Sequence, residues 1–206
     1  EVKEMMFDTV RYWLNKGADG YRLDIINALY EDAEFKDNPF AWKLIPSDES
    51  PGMPFRNAKY TLNHPDTLAF VKELREVLDE FDNPPRFLVG EVTGPMKTMQ
   101  EYCGGLDANG LHSVFLFKTL GAKFKAKAFR QLIQEFEEFF QPPLIPTWVF
   151  SNHDRYRRIS RLGDDVQKAK LNIALQLTVR GVPYIYYGEE IGIPQHNLKV
   201  KNSLDP

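Results

Sequence analysis

Arg86-Phe87-Leu88-Val89-Gly90-Glu91-Val92 is the stretch that decides how this chain folds. It is almost wholly apolar and shows no polar alternation, so it reads as a strand buried on both faces. Its single carboxylate, Glu91, stands near its C-terminal end. Pro84-Pro85 closes the preceding helix, which Pro65 and Asp66 open and which Phe70, Leu74, Val77, Leu78 and Phe81 carry.

Working outward, the same alternation continues on both sides. Upstream, Met6, Val10, Trp13 and Leu14 recur at helical spacing, and Gly17 stands where a helix would stop. Tyr21 to Ile26 is strand-like, and a polar, Pro-rich stretch from Glu31 to His64 follows. A loop of that length is usually functional or disordered. Downstream come a strand over Leu111 to Phe117 and a helix through Phe129, Leu132, Ile133, Phe136 and Phe140. Pro142-Pro143 separates that helix from the apolar run Leu144 to Phe150. A last helix through Val166, Ala169, Ile173 and Leu177 stops at Gly181, ahead of a strand over Val182 to Tyr187.

Apolar strands separated by helices predict an α/β fold with a parallel sheet covered on both faces. Five such strands suit an open doubly wound sheet or a segment of a barrel, and periodicity does not choose between them. A complete eight-unit barrel takes about 250 residues, more than the 206 present.

Composition narrows the function classes. At 43% hydrophobic and 27% charged, the chain is an ordinary globular protein rather than a disordered one. The net charge of -3 is spread along the sequence, with no basic block for nucleic acid and no apolar run able to cross a bilayer. Cys103 is the single cysteine, which excludes an intrachain disulfide framework; it reads as a small, partly buried residue rather than a nucleophile. Glu1 is neither an initiator Met nor the start of an apolar signal, so the sequence reads as a portion of a longer, cytoplasmic protein.

The acids carry the chemistry. Asp24 lies inside the first strand run, Glu91 ends the second, and His153-Asp154 follows the fourth. In parallel α/β proteins the C-terminal strand ends share the face where ligands bind. Three carboxylates there suit a substrate whose transition state is cationic, as in glycosidic bond cleavage. Arg22, two residues before Asp24, shares its strand face and favours an ionised carboxylate. Each motif also has a plain reading: a rim ion pair for Arg22-Asp24, a helix cap for Glu91, a loop cap for His153-Asp154.

Together the segments resemble the α-amylase family of glycoside hydrolases. Asp19-Gly20-Tyr21-Arg22-Leu23-Asp24 is similar to that family's fourth-strand motif, and Val89-Gly90-Glu91-Val92 to its fifth. Phe150-Ser151-Asn152-His153-Asp154 is similar to its seventh, and Gly181 to Gly192 to its eighth strand and following loop. The motifs occur in family order across essentially the whole chain. The resemblance implies a TIM (β/α)8 barrel of which residues 1–206 form the C-terminal portion, roughly strands 4 to 8. Strands 1 to 3, the domain usually inserted after the third, and its early substrate-binding His have no counterpart.

By the same resemblance, Asp24 is the nucleophile, Glu91 the acid/base and Asp154 the transition-state stabiliser. Arg22, His153, Asn152 and Tyr156 are the expected substrate-binding residues. The implied reaction is retaining hydrolysis of α-glucosidic bonds in oligosaccharides, without cofactor or metal. Ile25 resembles the aliphatic residue of many α-1,6-acting members. Transglycosylases and sugar isomerases share the motifs, and transporter heavy chains share the barrel without the acids. Phe150, Tyr156, Tyr186 and Tyr187 are candidates for stacking on sugar rings, although most of the 27 aromatics belong to the core. His64 reads as a loop residue and His112 as a packed strand residue. No nucleic acid or membrane partner is expected, whereas self-association through exposed barrel edges is.

Overall fold

A computed structural model describes residues 1–45 and 53–196. The chain divides into two compact units, Glu1–Phe115 with Gln134–Pro146, and Leu116–Ile133 with Thr147–Pro206. Residues 46–52 of the long Glu31 to His64 connection lie outside the described residues.

The first unit holds helices α1 (Val2–Asn15), α2 (Pro65–Asp79) and α3 (Met96–Tyr102) around three parallel strands. These are β1 (Gly20–Leu23), β2 (Phe87–Gly90) and β3 (Ser113–Val114), in the order β1-β2-β3. Arg22 is in register with Val89, and Leu23 with Gly90. Pro65 is the first residue of α2, and His64 caps it, its Nδ1 accepting from the Asp66 amide at 3.3 Å. His64 is thus a helix cap.

Val71, Leu74, Val77 and Leu78 are the buried apolar face of α2. On α1 that face is Phe7 and Leu14, while Met6 and Trp13 are exposed. The helix exists as the spacing predicts and Leu14 is buried as expected, but Phe7 takes the inner place expected of Met6: it meets the Phe70 ring of α2 at 5.3 Å. Lys3–Glu73 and the Arg11–Glu80 fork tie the rims of the two helices.

The second unit carries β4 (Thr147–Val149) paired in parallel with β5 (Val182–Tyr184). Helix α4 (Ala126–Phe139), of which the part up to Ile133 belongs to this unit, precedes β4 in the chain, while α5 (Arg158–Arg161) and α6 (Val166–Thr178) lie between the strands. Asp165 caps α6, accepting from the Gln167 and Lys168 amides at 2.9 and 3.1 Å. The expected apolar face of α6 is its inner face only in part, through the half-buried Ala169 and Ile173. Asn172 and Gln176 are buried, whereas Val166 and Leu177 are exposed. The physical reason is backbone chemistry: Gln176 Nε2 donates to the carbonyls of Trp148 and Tyr184, one on each strand, at 2.8 and 3.0 Å.

The sequence suggested one five-stranded sheet; the described strands form two, every pair parallel. The strands are also shorter than their apolar runs. The Tyr21 to Ile26 run leaves its ladder after Leu23, because Ile25 takes a left-handed conformation (φ 36°) and Ile26–Ala28 form a 3₁₀ turn. A β-branched residue seldom adopts that conformation, and local strain of this kind clusters at functional sites.

Candidate active site

Asp24 is the first residue past β1, not inside it, and Glu91 is the first past β2. The ladder continues as far as these acids: the Glu91 amide donates to Leu23 O at 2.9 Å, and the Ile26 amide donates to Glu91 O at 3.0 Å. Both carboxylates therefore emerge side by side from adjacent strand ends.

Arg22 joins them. One guanidinium nitrogen, Nη1, donates to Asp24 Oδ1, and the other, Nη2, donates to Glu91 Oε2. Sequence spacing gave Arg22 to Asp24 alone; the contact to Glu91 depends on strand register, which spacing does not contain. Burial opposes the Arg22 charge, but hydrogen bonds and attraction from Asp24 and Glu91 outweigh it and hold its pKa above the ordinary arginine value. The guanidinium also lies 5.8 Å from the centre of the Phe115 ring. The two acids differ in setting, since the Glu91 side chain is 15% exposed and that of Asp24 75%. Gly90 lets Leu111 pack against the backbone before Glu91; an added Cβ would fall 2.4 Å from Leu111 Cδ1, so a larger residue requires that side chain to shift.

Behind these residues lies a brace that sequence reading missed. Asn27 is fully buried, and its Nδ2 donates to Thr93 O at 2.8 Å, Asn63 Oδ1 at 3.1 Å and Thr93 Oγ1 at 3.2 Å. Asparagine in a turn is a common signal with many meanings, so nothing local marked this one.

In the second unit, Asn152, His153, Asp154 and Tyr156 line a cavity of about 250 Å³ together with Arg157, Tyr186, Tyr187 and Gln195. Asn152 Nδ2 donates to Asp154 Oδ2 at 2.7 Å, and His153 Nε2 lies 3.3 Å from Asp154 Oδ1. Tyr156 and Tyr187 are exposed and Tyr186 half-buried, whereas Phe150 is fully buried beside Trp148 and Phe129. Phe150 is therefore a core residue and is withdrawn from the stacking candidates. The Arg157 guanidinium sits 5.1 and 4.6 Å from the centres of the Tyr186 and Tyr187 rings.

Cys103 is buried, and burial pushes its thiol up to about 12, so it is no nucleophile. His112 accepts from the Leu88 amide at 3.0 Å, and burial lowers its pKa, as a packed imidazole requires. Among the described residues, no group of three His, Cys, Asp or Glu side chains could hold a metal ion, and no helix is long and apolar enough to cross a membrane.

The alpha amylase catalytic domain model matches residues 1–206. The chain belongs to the alpha-amylase family. The chain is 33% identical over 221 residues to a probable alpha-glucosidase of Rhizobium meliloti (strain 1021), covering 100% of the chain and 39% of the relative. It is 30% identical over 205 residues to an alpha-glucosidase of Apis mellifera, covering 100% of the chain and 35% of the relative. Among solved structures it superposes on the alpha-glucosyl transfer enzyme XgtA with a TM-score of 0.83 at 29% identity, over 99% of the chain and 39% of that enzyme. The chain thus spans little more than a third of the length of these relatives. A trehalose-6-phosphate hydrolase of Bacillus licheniformis (TM-score 0.73, 24% identity, 94% and 35% coverage) shares the fold. Family and neighbours give this member of the alpha-amylase family the TIM-barrel fold.

Proposed function

We propose that this chain is the C-terminal portion, roughly strands 4 to 8, of the catalytic barrel of a retaining α-glycoside hydrolase. Its substrates would be α-glucosidic bonds of oligosaccharides. The observation that carries the reading is the single guanidinium shared by two adjacent strand-end carboxylates, Asp24 and Glu91.

In this mechanism Asp24 attacks the anomeric carbon as the glycosidic C–O bond breaks, and Glu91 gives its proton to the leaving oxygen. Glu91 then takes a proton from water, whose oxygen attacks the same carbon and releases Asp24. Asp154 holds sugar hydroxyls and favours the distorted ring, with His153, Asn152, Tyr156 and Arg22 assisting. Supporting this are the family match, the alpha-glucosidase relatives and retention of all three acids, which a non-catalytic barrel would not need.

A p-nitrophenyl α-glucoside assay of the full-length protein, followed by NMR of the first product anomer, tests the reading. The α-anomer is expected; a β-anomer, or Asp24 and Glu91 carboxyls about 9 Å apart instead of about 5–5.5 Å, would overturn retention. A second reading, transfer of the glucosyl group to a sugar acceptor, draws on the printed activity of XgtA. Oligosaccharides longer than the substrate, formed at low acceptor concentration, would favour it. For the 206-residue chain alone we also propose self-association, because Tyr12, Trp13, Leu171 and Leu177 are exposed; monomers in light scattering would refute that.

A further inference from the structure

We propose that Glu189 is a positioning residue, which fastens the loop carrying His153 and Asp154 to the turn carrying Tyr186 and Tyr187. Its role in turnover rests on the hydrolase reading above; its role as a fastener does not.

The geometry starts from the register of β4 and β5, where Val149 lies opposite Tyr184. Ser151 and Tyr186 each lie two residues beyond that pair, where the ladder has ended. Glu189 replaces the missing rungs. Its Oε1 accepts from Ser151 Oγ at 2.9 Å and its Oε2 from the Tyr186 amide at 3.2 Å, so each oxygen holds one chain. The Ser151 hydroxyl is itself buried and fixed, since it accepts from the Arg158 amide at 2.9 Å. On the other side the Glu189 amide donates to Tyr186 O at 2.9 Å, which closes the turn from both ends. Gly188 allows that turn at φ 79°, and Ile193 packs where its Cβ would stand, 2.6 Å away.

A carboxylate suits this place for two reasons. It is a double acceptor facing two donors, and Arg158 and Arg161 supply opposite charge nearby. Asn152 follows Ser151 directly, so a displaced Ser151 moves the whole Asn152-His153-Asp154 segment. A shift of about 1 Å in a group that holds the substrate costs about 10²-fold in rate.

The variants are Glu189→Ala, Glu189→Gln and Ser151→Ala in the full-length protein. Glutamine can rescue: its Oε1 accepts from the Tyr186 amide, and its Nε2 donates to the second lone pair of Ser151 Oγ. Hydrogen exchange at residues 152–154 and 186–187 should speed up in Glu189→Ala and stay near wild type in Glu189→Gln. Unchanged exchange in Glu189→Ala overturns the fastening. The kcat/KM of active-site-titrated Glu189→Ala should fall about 10²-fold, carried mainly by kcat, with Glu189→Gln within a few-fold of wild type. Wild-type kcat in folded Glu189→Ala overturns the positioning role even where exchange has changed. If Glu189→Ala does not fold, Ser151→Ala must show faster exchange at 152–154, and its absence counts against the proposal. A wild-type protein inactive on every α-glucoside sinks the hydrolase reading, while the exchange data still decide the fastening.

Discussion

Beyond the register pair Leu23 and Gly90 the loops of the first sheet are tied by an amide, Asn27; beyond Val149 and Tyr184 those of the second are tied by a carboxylate, Glu189. The choice follows from what each brace stands near. In the first unit Asp24 and Glu91 already share Arg22, so a third carboxylate would add a negative charge without a cation of its own. An amide ties Thr93 and Asn63 at no cost in charge. In the second unit Arg158 and Arg161 lie close to Glu189, and burial lowers the pKa of Arg158 to about 10. A half-buried anion there offsets the buried Arg158 and the half-buried Arg161. One problem, holding loops past the end of a parallel ladder, thus has a neutral and a charged solution within one chain.

If the first region makes and breaks the bond while the second holds the sugar, variants should separate the two. Asp24→Asn in the full-length protein should lower kcat by about 10⁴-fold or more, through loss of the covalent intermediate. Glu91→Gln should lower it about 10²–10⁴-fold on natural oligosaccharides and much less on a nitrophenyl glycoside, whose leaving group needs little protonation. Equal losses on both substrates would remove Glu91 from the acid role. Arg22→Lys comes next, at about 10²-fold, because one ammonium cannot fork to two carboxylates as a guanidinium does. An Arg22→Lys enzyme with wild-type kcat/KM would show that the shared guanidinium is only an ion pair.

A smaller effect is expected from the neutral brace, and on stability. Asn27→Ala leaves Asn63 Oδ1 and Thr93 O without their donor in a buried place, costing about 1–3 kcal/mol. Asn27→Asp should cost more, since the new charge would face the Thr93 carbonyl. If thermal melts rank Asn27→Asp as the milder change, the contrast between an amide and a carboxylate brace fails.

How much of this was legible in the residues follows the range of each interaction. The order of helices and strands could be read because apolar runs and Pro or Gly stops are local. The acids could be singled out because Asp24 lies inside such a run, Glu91 ends one and Asp154 follows one. Strand ends could not be placed, since Ile25 looks like one more strand residue until its backbone turns left-handed. The inner faces of α1 and α6 were legible only in part for a related reason: which residues turn inward depends on Phe70 in one case and on strand carbonyls in the other. The Arg22–Glu91, Asn27–Thr93 and Ser151–Glu189 contacts link residues 69, 66 and 38 positions apart, pairings that no pattern along one strand contains.

The slightest effect, and the most direct test of the charged against the neutral solution, is in the pH dependence of stability. Each unit holds a half-buried group whose shift bears on this range, His112 in the first and Glu189 in the second, and the shifts have opposite consequences. Burial, then Arg75, lowers the pKa of His112 from 6.5, with Asp79 opposing. Below pH 6.5 the unfolded chain therefore binds a proton that the native imidazole declines, and stability falls as pH falls. Burial raises the pKa of Glu189 from 4.5, against the hydrogen bonds from Ser151 and Tyr186 and the charges of Arg161 and Arg158. As pH rises through 4.5 the unfolded chain releases its proton while the native carboxyl keeps it, so stability falls as pH rises toward the native value. Melting temperatures of wild type, His112→Gln and Glu189→Gln across pH 4 to 8 read both. His112→Gln should flatten the loss on acidification, and Glu189→Gln should flatten the loss on the rise from 4.5. Because the wild-type curve sums the two, each is seen only as a variant-minus-wild-type difference, and the two differences must slope in opposite directions. A Glu189→Gln difference without a slope would mean that the carboxylate in the second unit is as indifferent to pH as the amide in the first.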